Sequence, residues 1–283
     1  MINILKRIAL QSGKIFLTVF IICGIEYIFL LNSPGMSEQV ENISQDGNLA
    51  FFYFNWFFNA VFKLNFGRTL TDGRLISESL HYSSIITFKL TIGALLITVL
   101  VVLVMAIINI LHPKSAIVKA VNQFIAFFSG FHVVVLGAIA IRIFGLYGSN
   151  DVGITPLLIL TFGNGALYDA VQYMVQAFIK IHNSDYIRAT KARGGNIWIN
   201  AQKEILITLL TLINSRFPYL IGGAFIVEYF FSINGLGMQI IHGVKGKESL
   251  FLMSVTMLVA FIVLLLNSII QGIHSILDPR LRR

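Results

Sequence analysis

The side chains able to do chemistry are sparse in this sequence, and their spacing excludes most of it. Six histidines (His81, His112, His132, His182, His242 and His274) stand singly, with no pair at i and i+4, so no metal centre is expected. The one thiol, Cys23, lies in an apolar run and cannot form a disulfide within the chain. Gly243-Val244-Lys245-Gly246-Lys247-Glu248 only superficially approaches a phosphate-binding loop: the glycine spacing is wrong, and Glu248 stands where Mg2+ would need a hydroxyl. No Gly-x-Ser-x-Gly elbow occurs, and Ser129-Gly130 reads as a helix-packing pair rather than a nucleophile. No catalytic residue and no cofactor are therefore expected in this chain. Two charged residues, Arg216 and Glu228, interrupt an apolar segment. They are 12 residues apart, ~18 Å along a helix, so they cannot pair within it. Such a charge either lines a water-filled path or meets a partner in another helix, and both roles stay open for them.

Polar residues concentrate in 182–204. Ser184 is placed to cap a helix starting at Asp185, with Lys191 and Arg193 in the last turn where the helix dipole favours cations. Gly194-Gly195 should stop that helix, and Asn196 can cap a second one beginning Ile197-Trp198. At helical spacing Asp185, Ala189 and Ala192 share one stripe, while Arg188 and Lys191 lie side by side. A stripe of small residues admits another backbone closely, and the adjacent bases suit an acidic partner. A basic loop that merely happens to be helical is the plainer alternative.

The elements that must carry these residues follow from composition. Of 283 residues 56% are hydrophobic and only 12% charged, with mean hydropathy +0.81; soluble domains carry about 25% charged residues. That excludes a disordered chain, a disulfide scaffold and an ordinary cytosolic enzyme. A net charge of +8 does not indicate nucleic acid, because the bases sit between apolar segments. Residues 90–111 and 120–141 are 22-residue stretches without a charge, and 251–277 is another of 27 residues; about 20 apolar residues cross a bilayer as a helix. Three weaker segments carry charges: 8–31 with Lys14 and Glu26, 155–181 with Asp169 and Lys180, and 205–231 with Arg216 and Glu228. Those charges should face protein or a cavity rather than lipid. The expectation is an all-α, polytopic membrane protein of six transmembrane helices forming one domain, 1–283. Thirteen Lys and Arg fall on the side shared by the termini and six on the other, which makes the termini cytoplasmic. The first segment reads as an uncleaved span, since Asn32-Ser33-Pro34-Gly35 follows it instead of a small-residue cleavage site. The external stretch 32–84 includes an aromatic run, 49–62, suited to a surface-lying helix at the interface, with a lid as the alternative. The stretch 182–204 is cytoplasmic.

Several motifs, in order along the chain, carry a family resemblance. Arg188-Ala189-Thr190-Lys191-Ala192-Arg193-Gly194 resembles the EAA-type loop of ABC importer permeases, in the form used by the oligopeptide, dipeptide and nickel branch, and Leu206 falls where that branch has its leucine. Asn65-Phe66-Gly67-Arg68-Thr69-Leu70, then Gly73-Arg74, is similar to its external segment before the second span. Gly222-Gly223-Ala224, Val227-Glu228, Phe231 and Gly235-Leu236-Gly237 resemble its fifth-span signature, and Leu277-Asp278-Pro279-Arg280-Leu281-Arg282 its C-terminus. Arg188 and Thr190 depart from the Glu and Ala of the broad motif, and Asn234 replaces a proline before Gly235.

The resemblance implies a type I ABC importer permease architecture in a bacterial cell membrane. It implies a second, related permease, two cytoplasmic ATPases that hold the ATP and Mg2+, and an extracytoplasmic solute-binding protein. Asp185, Arg188, Ala189, Thr190, Lys191, Ala192 and Gly194 would then couple to an ATPase, and Arg216, Glu228, Gly235 and Gly237 would line or gate the path. Short peptides are the cargo it suggests, with nickel or a metal chelate as the alternative. An ion-driven secondary transporter would need no capped cytoplasmic loop and would show inverted repeats, which this sequence lacks.

Overall fold

The computed structural model describes residues 2–33, 48–144, 153–163 and 166–277. Helices carry nearly all of them: α1 (Ile2–Leu31), α2 (Leu49–Lys63), α3 (Ile76–Leu111), α4 (Ala116–Ser129), α5 (Val133–Phe144), α6 (Ile154–Phe162), α7 (Ala166–His182), α8 (Asp185–Ala192), α9 (Ile197–Phe230), α10 (Leu236–Lys245) and α11 (Ser249–Leu277). Among the described residues four helices are long and apolar enough to cross a membrane: Leu10–Leu31, Ile76–Leu111, Ile197–Phe230 and Ser249–Leu277. The count reaches six when two bent pairs, Ala116–Ser129 with Val133–Ile143 and Ile154–Phe162 with Leu167–His182, are each taken as one span.

The first of those pairs corrects the expectation of an unbroken helix over 120–141. The chain turns by 96° there. Gly130 ends α4, its N–H directed at the carbonyls of Ala126, Phe127 and Phe128, and the exposed His132 restarts the helix by accepting the Val134 N–H on Nδ1 at 3.3 Å. His132 thus serves as a helix cap. The second correction concerns 197–231: what reads as a short cytoplasmic helix followed by a span is one helix, α9, of 34 residues, with Pro218 inside it.

The chain divides into two compact units. In the unit formed by 1–86 and 234–268, α2 packs antiparallel to α1 through rings. Phe16 and Phe20 meet Phe57 edge-on, with centroids 5.4 and 5.0 Å apart, and Tyr27 stacks on Tyr53 at 5.3 Å. The buried hydroxyls find acceptors: Tyr27 donates to the Leu49 carbonyl and Tyr53 to that of Phe20. Phe51, Phe54, Phe58 and Phe62 are left on the outward face. Glu26 in α1 accepts the Thr256 hydroxyl of α11 at 3.1 Å, so this charge does face protein.

The unit formed by 87–233 and 269–283 is built round α7 and α9. Val102, Met105, Ile125, Leu167, Met174 and Leu212 form its buried core. Asn109 and Asn122 tie α3 to α4 by an amide pair, Asn122 Nδ2 donating to Asn109 Oδ1 at 2.7 Å. Small residues set the closest approach: a Cβ on Gly223 would lie 2.7 Å from Leu160 of α6. Its neighbour Gly222 faces open space. Lys14, Asp169 and Lys180 are exposed rather than packed against this chain, which leaves them the cavity side of the expectation. Asp169 and Lys180 occupy the first and last turns of α7, where the helix dipole favours them. On both units large apolar side chains such as Phe29, Leu96, Leu100 and Phe127 are exposed, as a lipid-facing surface requires.

Candidate docking knuckle and the buried polar residues

The stretch 182–197 folds into a short, rigid knuckle. α8 occupies Asp185–Ala192, as the caps predict, but Ser184 starts it differently. Its hydroxyl donates back to the Ile181 carbonyl at 2.6 Å instead of accepting from the first turn, while its carbonyl accepts the Arg188 N–H. The far end closes as a Schellman motif: the Gly194 N–H reaches the Lys191 carbonyl and the Gly195 N–H the Thr190 carbonyl, each at 3.0 Å. Gly194 has φ +69, a left-handed conformation that costs a residue with a Cβ. Two residues on, Asn196 accepts the Trp198 N–H at 2.9 Å and starts α9.

Two residues hold α8 down. Ile187 is fully buried against Ile181 and Ala201, with Ile197 and Ile205 around them. Thr190, 7% exposed, turns its hydroxyl to the Tyr186 carbonyl at 2.9 Å. Tyr186 keeps 37% of its surface exposed; partial desolvation pushes its hydroxyl from 10.0 up to about 12, and the Glu204 carboxylate beside it acts in the same direction. The opposite face is open. Asp185, Arg188, Ala189, Lys191, Ala192 and Gly194 are all exposed. Arg188 meets Asp185 at only 3.8 Å, both in solvent, a pair worth little. Lys191 Nζ lies 3.0 Å from His182 Nε2. Of the seven residues singled out in the sequence, six therefore form one outward surface, and Thr190 belongs to the seat beneath it.

The remaining candidates separate. Glu228 is wholly buried on α9 and Arg216 half-buried on the same helix. Gly235 and Gly237 are buried in the other unit, at the start of α10.

A further polar feature lies where the sequence shows only a failed phosphate loop. Glu248, 5% exposed, clamps the segment 67–75. Its Oε2 accepts the Leu70 N–H, and its Oε1 accepts both the Thr71 N–H and the Thr71 hydroxyl, each at 2.8 Å. The clamped segment is itself a tight turn. Arg68 pairs antiparallel with Leu75, the Thr69 N–H meets the Arg74 carbonyl at 2.9 Å, and Gly73 sits at φ +64. Nothing in local spacing links position 248 to position 70; only the solitary acid within a basic stretch hints at a fixed partner.

A family model described as binding-protein-dependent transport system inner membrane component matches residues 112–283, more than half of the chain. A putative peptide permease protein of Brucella ovis is 27% identical over 131 residues, 45% of this chain and 40% of that protein. The chain thus spans less than half the length of this Brucella relative. A probable peptide ABC transporter permease protein of Sinorhizobium fredii is 23% identical over 241 residues, 78% of this chain and 77% of that one. A metal-staphylopine import system permease protein of Staphylococcus aureus is 20% identical over 307 residues, covering 99% and 97%. The matched region contains the knuckle, its seat and Glu228. This chain belongs to the family of binding-protein-dependent transport system inner membrane components.

Proposed function

We propose that this chain is the membrane-spanning permease subunit of an ATP-driven importer, and that the chain helps to form the path for short peptides. The observation that carries this reading is the exposed face of Asp185, Ala189 and Ala192 on a helix seated by Ile187 and closed at Gly194-Gly195. Small side chains admit a partner backbone, and the closed ends make the helix rigid enough to pass on a push. The partner on that face is a cytoplasmic ATPase, two copies serving this chain and a second, related permease; ATP and Mg2+ belong to the ATPases. An extracytoplasmic binding protein delivers the cargo. The excess of bases on the side of the termini supports a cytoplasmic position for those termini and the knuckle, in a bacterial cell membrane.

ATP-driven closure of the ATPases moves α8, and α8 moves α9 through the shared seat at Ile187 and Ala201. Arg216 and Glu228 ride on the same helix and line the path, with Gly235 and Gly237 at its outer gate. Import of a metal chelate is the second reading, favoured by the near full-length match to the staphylopine-system permease.

Uptake by the whole importer in proteoliposomes tests both. ATP-dependent uptake of a labelled di- or tripeptide is the expected result. Uptake of a nickel chelate but of no peptide would replace the first reading with the second, and uptake driven by an ion gradient without ATP would overturn both.

A further inference from the structure

Resting on the peptide-import reading, we propose that the pocket above the Glu248 clamp is an external receiving site for the carboxylate end of a short peptide. The pocket encloses about 580 Å³, a volume suited to a small ligand. Arg74 and Lys245 reach it from segments distant in sequence, joined by His242, Asp72, Gln239 and Ser79. Two cations therefore stand at one opening.

Glu248, the buried acid of the lining, forms no ion pair with either cation. Both oxygens of Glu248 are taken up by Leu70 and Thr71. Asp72 meets Arg74 only at 3.8 Å, with both side chains more than half exposed, so the guanidinium keeps donors for an incoming ligand. A guanidinium can hold a carboxylate through two parallel hydrogen bonds, and a lysine adds a point charge. Asp72 at the same opening supplies the opposite sign for an α-ammonium group. A zwitterion of a few residues matches that arrangement better than a neutral sugar or an apolar molecule does.

Glu248 does not reach the ligand in this scheme. It is a positioning residue: by fixing residues 70 and 71 it holds the turn that carries Arg74, so the cation need not be ordered when the ligand arrives.

The test uses the whole importer in proteoliposomes with Cys23→Ser and a reporter thiol at Ser79→Cys. The thiol is labelled with an impermeant maleimide in the presence of trialanine or of trialanine amide. Trialanine should slow labelling at least about fivefold at saturation, and the amide should not, because it lacks the carboxylate. Adding Arg74→Gln or Lys245→Gln should abolish the protection, and Glu248→Gln should raise the trialanine concentration needed for it. Equal protection by acid and amide, or none by either, would overturn the site. Gln239→Cys serves as the reporter if the Ser79→Cys complex does not assemble. Uptake of radiolabelled trialanine is measured in parallel. A complex that imports trialanine without carboxylate-dependent protection refutes the site alone; one that imports no peptide refutes the peptide reading and the site with it.

Discussion

The Gly195 N–H donates to the Thr190 carbonyl at 3.0 Å, and the Thr190 hydroxyl donates to the Tyr186 carbonyl at 2.9 Å. One residue thus links both turns of α8 to its stop. The helix is only 8 residues long, too short to be stable alone, and this local closure with the Ile187 seat keeps it formed.

Gly194→Ala puts a Cβ on a residue at φ +69 and should cost about 1 kcal/mol at the knuckle. Gly194→Asn should cost less, since Asn tolerates that conformation. Gly194→Pro should abolish transport and stimulated ATPase activity while the rest of the membrane domain still folds. Size-exclusion profile and ATPase rate in proteoliposomes check the series; a fully active Gly194→Pro complex would separate the knuckle from coupling.

The two faces of α8 should answer differently to mutation. Ile187→Ala empties a fully buried site and should cost ~2 kcal/mol or more, seen as a lowered midpoint of thermal unfolding. Ala189→Trp adds bulk on an exposed position, so the midpoint should hold while ATPase recovery on copurification collapses. Retained ATPase in a well-inserted Ala189→Trp variant would show that partners dock elsewhere.

Tyr186 gives the knuckle an alkaline limit. Its hydroxyl is raised from 10.0 to about 12 because partial desolvation, with the Glu204 carboxylate beside it, disfavours the phenolate. A raised acid contributes stability that is complete below the unfolded pKa and lost as pH climbs through the folded one, here from pH 10 towards 12. Ultraviolet difference titration of wild type against Tyr186→Phe should show one phenolate forming near the upper end of that window. A transition at the ordinary value would mean that the seat leaves Tyr186 solvated.

Glu228 is wholly buried within α9. Glu228→Gln should keep complex yield and change uptake rate or cargo preference. Glu228→Leu should lower yield as well, because a branched apolar side chain cannot replace the polar contacts made there. Wild-type kinetics and yield in both variants would leave Glu228 with no part in transport.

Sidedness has its own check. In a Cys23→Ser background, Lys245→Cys should label with an impermeant reagent in intact cells, and Asn196→Cys only after the membrane is opened. Outside labelling at Asn196 would invert the topology and remove the knuckle from the ATPases.

The parts of this molecule legible in its sequence are those encoded locally. Asp185 to Ala192, the stop at Gly194 and the cap at Asn196 follow from residue types within one turn of each feature. The break at 130–132 does not, because an apolar run with two glycines and one histidine satisfies a straight helix equally well, and the bend depends on His132 turning back to Val134. The continuity of α9 escapes for the converse reason. Residues 197–204 are polar enough to suggest a separate surface helix, yet no breaking residue parts them from the span. Thr190 stands among the coupling residues that the motif implies but lies beneath their surface in space, because α8 packs through its 187–190 edge. Glu248 and Thr71 are joined by a fold, not by a pattern.

The length of α9 also sets a height. A helix of 34 residues measures ~51 Å, against a hydrocarbon core of ~30 Å. Standing upright with its far end at the opposite interface, it would carry some 20 Å beyond the lipid tails, past the headgroup layer. The pedestal on which α8 rests is thus part of the spanning helix itself. Any machine that grips α8 rides at a clearance above the bilayer dictated by this chain, and shortening α9 by one turn between 198 and 205 would draw that machine ~5 Å towards the headgroups while rotating its footing.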